Sequence, residues 1–232
     1  MDLLGNAFSE MFSFFLGEDG DIWSTTGRTA VICAISTLIS AILGICLGFL
    51  FALAPFKGRN AFVAFANVGL GMPPVVAGLI VSILLWRTGP LGFLGLMYTP
   101  LGMIISQCLI AVPLVTAITV GAVMSLPPAM HLQIRSMGAT TLQALPILAH
   151  EVRIGLFIAI MAGFGATISE VGAAMMVGGN LANGTRVLTT ATVQLVSQGQ
   201  FGKALAYGMV LLILVLGVAI AVTSIQSKAR KQ

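Results

Sequence analysis

Hydrophobic residues fall along this chain in long, nearly uninterrupted runs separated by short polar punctuation. The first run extends from about Arg28 to Ala54 and stops at Pro55 and the charged turn "PFKGRN". A second covers Phe62 to Trp86, with Pro73-Pro74 inside it, and a third Pro100 to Met124. The polar stretch "SLPPAMHLQIRSMGATTLQALPILAHEVR" follows. A fourth run covers Ile154 to Val177, and a fifth runs from Ala204 to Ser224 before "KARKQ". A spanning helix needs about 20 apolar residues, so each run is long enough to cross a bilayer. Alternation of period two in ten-residue segments, the mark of a membrane barrel, is absent. The pattern predicts an all-α integral membrane protein of five transmembrane helices, forming one domain over residues 1–232.

Composition agrees: 58% of the 232 residues are hydrophobic and 8% charged, against roughly a quarter charged in soluble domains. Charge also orients the chain. Lys57, Arg59, Arg135, Arg153, Lys228, Arg230 and Lys231 fall on one side of the five spans; Arg28, Arg87, Arg186 and Lys203 fall on the other. Positive residues gather on the cytoplasmic side, so the N-terminus is expected outside and the C-terminus inside. Residues 1–27 are then a periplasmic interfacial segment. In it Leu4, Phe8, Met11, Phe12 and Phe15 have near-helical spacing. Residues 125–153 form the largest cytoplasmic element, and 178–203 an outer loop. There Val187, Leu188, Ala191 and Leu195 lie opposite Thr190, Gln194 and Gln198, which predicts a short amphipathic helix.

Enzyme chemistry is nearly missing from the sequence. No G-x-x-x-x-G-K-[ST] phosphate loop occurs, so the chain itself is expected to bind no ATP. His131 and His150 stand without a carboxylate or cysteine at ligand spacing, and Cys33, Cys46 and Cys108 lie unpaired in apolar runs. Neither a metal nor a cofactor is expected, nor nucleic acid as a partner. What remains is a path. Ser106, Thr116, Thr167 and Ser169 are hydroxyls in spans, able to line a polar route or to bond between helices. Pro73 and Pro74 break the bonding of the second span, and carbonyls freed inside a membrane must be buried in protein or face a cavity. Gly44-x-x-x-Gly48 permits close helix approach.

Glu170 is the anomaly. After Asp21 only Glu151 and Glu170 are acidic, and Glu170 sits in an apolar run ending in Gly178-Gly179-Asn180. It lies roughly 25 Å along the helix from Arg153, at 1.5 Å per residue, near the outer surface of a ~30 Å hydrocarbon core. A structural or gate-lip role is expected. Either it caps N–H groups of the Gly178-Gly179-Asn180 turn, or it pairs with Arg186 or Arg87.

The stretch "QIRSMGATTLQALPILAHEVRIGL" resembles the coupling loop of ABC-transporter permease subunits, in which a glycine follows E-A-A and three residues. With Gly138 as that glycine, Arg135-Ser136-Met137-Gly138-Ala139 matches the common R-T-L-G-A form. Leu132, Gln133 and Ile134 replace Glu-Ala-Ala, and Glu151 stands where the motif proline would be. "GLGMPPVVAGLIVSILLWRTGPLGFLG" is similar to the molybdate and sulfate-type permeases. "FGATISEVGAAMMVGGNLANGTRVLTTATVQLVSQGQFGKALAYG" resembles the tungstate importer permeases more closely. The resemblance covers nearly the whole chain and implies the type I ABC importer permease fold in a bacterial or archaeal cytoplasmic (inner) membrane.

It also implies an oxyanion importer, of tungstate foremost, with molybdate or sulfate as alternatives. Its parts would be a homodimer of this chain in the lipid bilayer, an ATPase pair that carries ATP-Mg, and a periplasmic or lipid-anchored oxyanion-binding protein. Gln133, Ile134, Arg135, Met137, Gly138, Ala139 and Leu142 would engage the ATPase, with Ile134, Met137 and Leu142 as an apolar knob. Pro73, Pro74, Ser106, Thr116, Thr167, Ser169, Glu170 and Asn180 would form pathway and gate. A secondary transporter or channel is the rival from another class, and would carry ion-coupling residues inside its spans.

Overall fold

The computed structural model describes residues 20–138 and 140–229, with Gly5, Ser9, Met11 and Phe12 before them. Every regular element among these is helical: α1 (Gly20–Leu53), α2 (Arg59–Val68), α3 (Pro74–Leu85), α4 (Pro100–Met124), α5 (Pro128–Ser136), α6 (Thr141–Glu151), α7 (Arg153–Ile168), α8 (Leu188–Ser197) and α9 (Phe201–Ala229). A 3₁₀ turn at Gly92–Leu94 and a π turn at Ala174–Gly178 complete the order. Among the described residues three helices are long and apolar enough to cross a membrane: Asp21–Leu53, Pro100–Met124 and Phe201–Ser224. The second and fourth runs of the sequence are each broken. Pro73, which lacks an N–H, separates α2 from the twelve-residue α3. The fourth run leaves the α-helix after Ile168 and resumes as the π turn.

Local chemistry sets the boundaries. α1 begins at Gly20, eight residues before the expected Arg28, because nothing in "DIWSTTG" stops a helix and Asp21 in the first turn suits its dipole. Its far end is capped by Arg59, whose Nε and Nη2 donate to the carbonyls of Phe51 (2.5 Å) and Ala52 (2.9 Å). Stacking of Phe51, Phe56 and Phe62 at centroid distances of 5.5–6.1 Å closes that turn. α4 starts where sequence predicts: Pro100 takes its first position, and Thr99 Oγ1 accepts the Gly102 N–H at 3.2 Å. Thr140 and Gln143 form a capping box that starts α6.

α4 is the axis of the bundle, lying between α1 and α7. Small residues make that possible. A β-carbon on Gly44 would lie 2.6 Å from Val115 Cβ, and one on Gly48 would lie 2.5 Å from Thr119 Cβ. From the other side Gly163 faces Val115 Cγ2 at 2.8 Å, and Gly155 faces Ala122 Cβ at 2.6 Å. The Gly44-x-x-x-Gly48 pair is thus the α1–α4 contact, with Val115 wedged between two glycines. Large apolar residues point away from the core: Val31, Leu38 and Ile42 on α1, and Leu212, Ile213 and Leu216 on α9. Such an outer surface suits hydrocarbon.

Of the N-terminal residues expected to form an interfacial helix, Leu4, Phe8 and Phe15 lie outside the described residues. Met11 is buried with Ile22, Leu188, Ala206, Tyr207 and Val210, while Phe12 is exposed.

Candidate functional site: a cleft between broken helices and a turn at the opposite end

Three interruptions of the backbone meet beside α4. The first is the Gly69–Pro74 break between α2 and α3. The second is Pro113 within α4, on which Gly69 packs. The third is the Ser169–Val171 break after α7. The first and third border a cleft of about 410 Å³, with Leu114, next to Pro113, at its back. Met72, Pro74 and Val75 line one wall, Ile110 and Leu114 the back, and Ser169, Glu170 and Gly172 the other wall. The walls touch where α3 meets the π turn: Gly78 lies against Ala173, and Gly172 against Val75. Backbone left without helical partners therefore gathers around one cavity, as a membrane interior requires.

Glu170 is only 3% exposed, yet its charge is fully engaged. Its Oε1 accepts the Ala173 N–H at 2.5 Å and its Oε2 the Ala174 N–H at 2.7 Å. These donors open the turn after the break, where partial positive charge favours a carboxylate. The capped groups are thus one turn downstream in its own segment, not the Gly178-Gly179-Asn180 turn. Nor, among the described residues, does Glu170 pair with an arginine: Arg186 bonds Asp21 at 3.3 Å, and Arg87 is exposed.

The expected path residues separate into two groups. Pro74, Ser169 and Glu170 line the cleft, with Pro73 at the start of α3. Ser106, Thr116 and Thr167 are instead buried inside the bundle. Ser106 donates to the Met103 carbonyl (2.8 Å), Thr116 to Val112 (2.7 Å), and Thr167 to Phe164 (2.9 Å). Thr167 also joins three helices. Its hydroxyl meets Thr37 Oγ1 at 3.1 Å, and its carbonyl accepts from Gln107 Nε2 at 3.3 Å. Hydroxyl-bearing positions alone do not tell a cleft lining from a seam between helices. Asn180, in the left-handed conformation (φ 52°), bonds Gln194 of α8 at 2.7 Å, apart from the cleft lining.

Residues 178–187 share one end of the bundle with the 3₁₀ segment, since the Tyr98 N–H donates to the Val177 carbonyl at 2.8 Å. The predicted short helix is α8, but Thr190, expected on its polar face, is buried, while Val193 and Val196 are exposed. At this end Asp21 joins Arg28 (3.8 Å), Arg186 (3.3 Å) and the Tyr207 hydroxyl (3.2 Å), tying α1, the loop and α9. Sequence patterns do not reveal that junction, because its members lie up to 186 positions apart.

At the other end, α5 and α6 meet at Gly138, whose φ of 79° suits glycine. Met137 beside it is 78% exposed, and Gln133 is exposed too. Ile134 points inward, 8% exposed, among Phe49, Val123, Leu148 and Val152. Of the two knob residues whose side chains are described, Ile134 and Met137, it is the one taken up by the bundle. Ala139 and the side chains of Arg135 and Leu142 lie outside the described residues.

This architecture has known relatives. Residues 44–231 match the family described as binding-protein-dependent transport system inner membrane component. The tungstate uptake system permease protein TupB of Peptoclostridium acidaminophilum is 32% identical over 98% of this chain and 100% of its own. A probable anion ABC transporter permease protein of Haloferax volcanii is 36% identical over 84% of this chain and 86% of its own. Among solved structures, the MetNI methionine ABC transporter in an inward-facing conformation superposes with a TM-score of 0.72 at 20% identity. That match covers 92% of this chain and 99% of the other. A bacterial ABC transporter involved in import of alginate gives 0.70 at 17% identity, covering 97% and 83%. With the family match spanning most of its length, the chain belongs to the binding-protein-dependent transport system inner membrane components, and its fold is that of ABC importer permeases.

Proposed function

We propose that this chain is the membrane-spanning permease subunit of an ATP-driven importer for a tetrahedral oxyanion, tungstate foremost. The observation that carries the reading is the near full-length relation to a permease named for tungstate uptake. A second tungstate uptake permease, from Campylobacter jejuni, is 28% identical over 92% of this chain. Permeases named for sulfate and molybdenum are more distant, at 23–26% identity.

In this reading two copies of the chain enclose the path in the cytoplasmic membrane, N-terminus out and C-terminus in. An ATPase docks on each 125–153 segment, where Met137 is the exposed apolar contact and Gly138 permits the turn. A binding protein delivers the anion to the 178–203 end. ATP and Mg²⁺ belong to the ATPase; this chain contributes path and lever, by rigid-body alternating access. The anion passes the broken-helix clefts, where backbone N–H groups and helix N-termini offer weak positive potential without a fixed cation. Glu170 offsets part of that potential, since its carboxylate takes the Ala173 and Ala174 N–H groups.

The test is uptake by proteoliposomes holding permease and ATPase, supplied with the binding protein and labelled tungstate. ATP-dependent tungstate uptake that a tenfold excess of molybdate or sulfate fails to suppress is expected. Preferential uptake of molybdate or sulfate moves the substrate within the class, and flux through the permease alone makes it a secondary transporter or channel.

A further inference from the structure

Helix α8 is anchored to the bundle through its first turn, while its opposite side faces out. Val193 and Val196 are exposed, and Gln194 and Gln198 border a polar pocket of about 290 Å³ with Asp21, Arg186 and Lys203. At the buried side the Leu188 N–H donates to Thr29 Oγ1 of α1 at 2.9 Å. Thr189 Oγ1 donates to the Glu170 carbonyl at 3.0 Å.

That second bond has an unusual origin. In an α-helix the Glu170 carbonyl would accept the Ala174 N–H, four residues on. Here Ala174 N–H is taken by the Glu170 carboxylate at 2.7 Å. The carbonyl is thereby left for another donor, and a buried carbonyl without one is costly. Thr189, 6% exposed, supplies that donor from α8. Glu170 is therefore gripped twice, by its side chain from the π turn and by its carbonyl from α8. The wall of the cleft at Ser169–Gly172 is tied to an element on the outer lip through one hydroxyl.

We propose that Thr189 is the positioning residue through which α8 sets the conformation of the Ser169–Gly172 wall, so that engagement of α8 by the binding protein is felt at the cleft. The inference rests on the importer reading for its functional consequence and on the hydrogen bonds alone for its structural one. Such coupling requires an element with two arrangements that both sites bias, and the proposal assigns that part to the broken segment at Glu170. Thr189→Val keeps the shape of the side chain and removes only the donor; Thr189→Ser keeps the donor.

The experiment uses the permease–ATPase complex in proteoliposomes with two readouts. One is ATPase activity with and without tungstate-loaded binding protein. Thr189→Val is expected to leave the basal rate within twofold and to cut the stimulated increment at least fivefold, and Thr189→Ser is expected to restore it. The second needs no substrate. Thiol labelling of Ser169→Cys, in a Cys46→Ser background, is expected to change rate at least threefold when Thr189→Val is added. Unchanged labelling together with wild-type stimulation overturns the inference, as does equal loss of basal and stimulated rates. A wild-type complex that tungstate-loaded binding protein fails to stimulate would instead sink the importer reading, with the labelling arm still deciding the role of Thr189.

Discussion

Gly78 of α3 crosses Ala173 so closely that a β-carbon at position 78 would lie 2.5 Å from the Ala173 Cα and 2.8 Å from its Cβ. Both are backbone-proximal atoms, so no side-chain rotation relieves the overlap. The crossing joins the two broken spans that wall the cleft. Gly78→Ala is expected to force α3 away from the π turn, at about 1–3 kcal/mol. A lowered thermal midpoint of the detergent-purified permease would register it, with transport falling in parallel. Unchanged stability would mean that the two spans are not locked together.

Val115 gives a second, reciprocal test. It is wedged between Gly44 and Gly163, and only its Cγ2 meets the space where a Gly163 β-carbon would be, at 2.8 Å. Gly163→Ala gains about 1 kcal/mol of helix propensity but meets a methyl that has no room to retreat. Val115→Ala removes that methyl. Measured as a double-mutant cycle of unfolding free energies, the pair is expected to couple favourably by about 0.5–3 kcal/mol. Simple additivity would show that the α4–α7 contact is looser than the glycines imply.

Much of this was legible in the residues. Hydropathy places the three long helices, and Pro100 marks the start of α4 to the residue, because that signal is local and chemical. The start of α1 departs from the expected Arg28 because a charged residue does not by itself end a helix. Its guanidinium instead reaches back one turn to Thr25 at 3.1 Å and toward Asp21 at 3.8 Å along the helix surface. For Ser106, Thr116 and Thr167 the sequence admits either a route or a bond between helices, because it reports hydroxyls without saying which way they face. The cleft becomes visible only when the breaks at Pro73 and Ser169 are seen to meet, and that is a long-range relation no local pattern encodes.

Met137 and Ile134 are three residues apart and face opposite ways, which separates docking from folding. Met137→Glu places a charge on a side chain 78% exposed. It is expected to reduce co-purification of the ATPase at least tenfold while leaving the thermal midpoint of the permease in place. Ile134→Ala empties a core position among Phe49, Val123 and Leu148 and is expected to cost about 2–5 kcal/mol of stability. Loss of stability on Met137→Glu, with ATPase binding retained, would place the contact elsewhere.

Glu170→Gln decides whether the buried carboxylate acts by its hydrogen bonds or by its charge. Two backbone N–H groups, of Ala173 and Ala174, each need an acceptor oxygen, and a carboxylate has two. A carboxamide has one, and its NH₂ would face the second donor. One buried N–H is then left unpaired, at about 1–3 kcal/mol. The variant is therefore expected to unfold at lower temperature and to transport more slowly. Glu170→Asp is expected to share that defect, because its chain is one methylene too short to span both donors. Electrostatics alone predicts the opposite for the amide: removing a negative charge from the wall of an anion path lowers a Coulomb barrier, so tungstate uptake would quicken at undiminished stability. Initial uptake rates beside thermal midpoints for the two variants separate these outcomes, and the double cap seen at Ala173 and Ala174 favours the first.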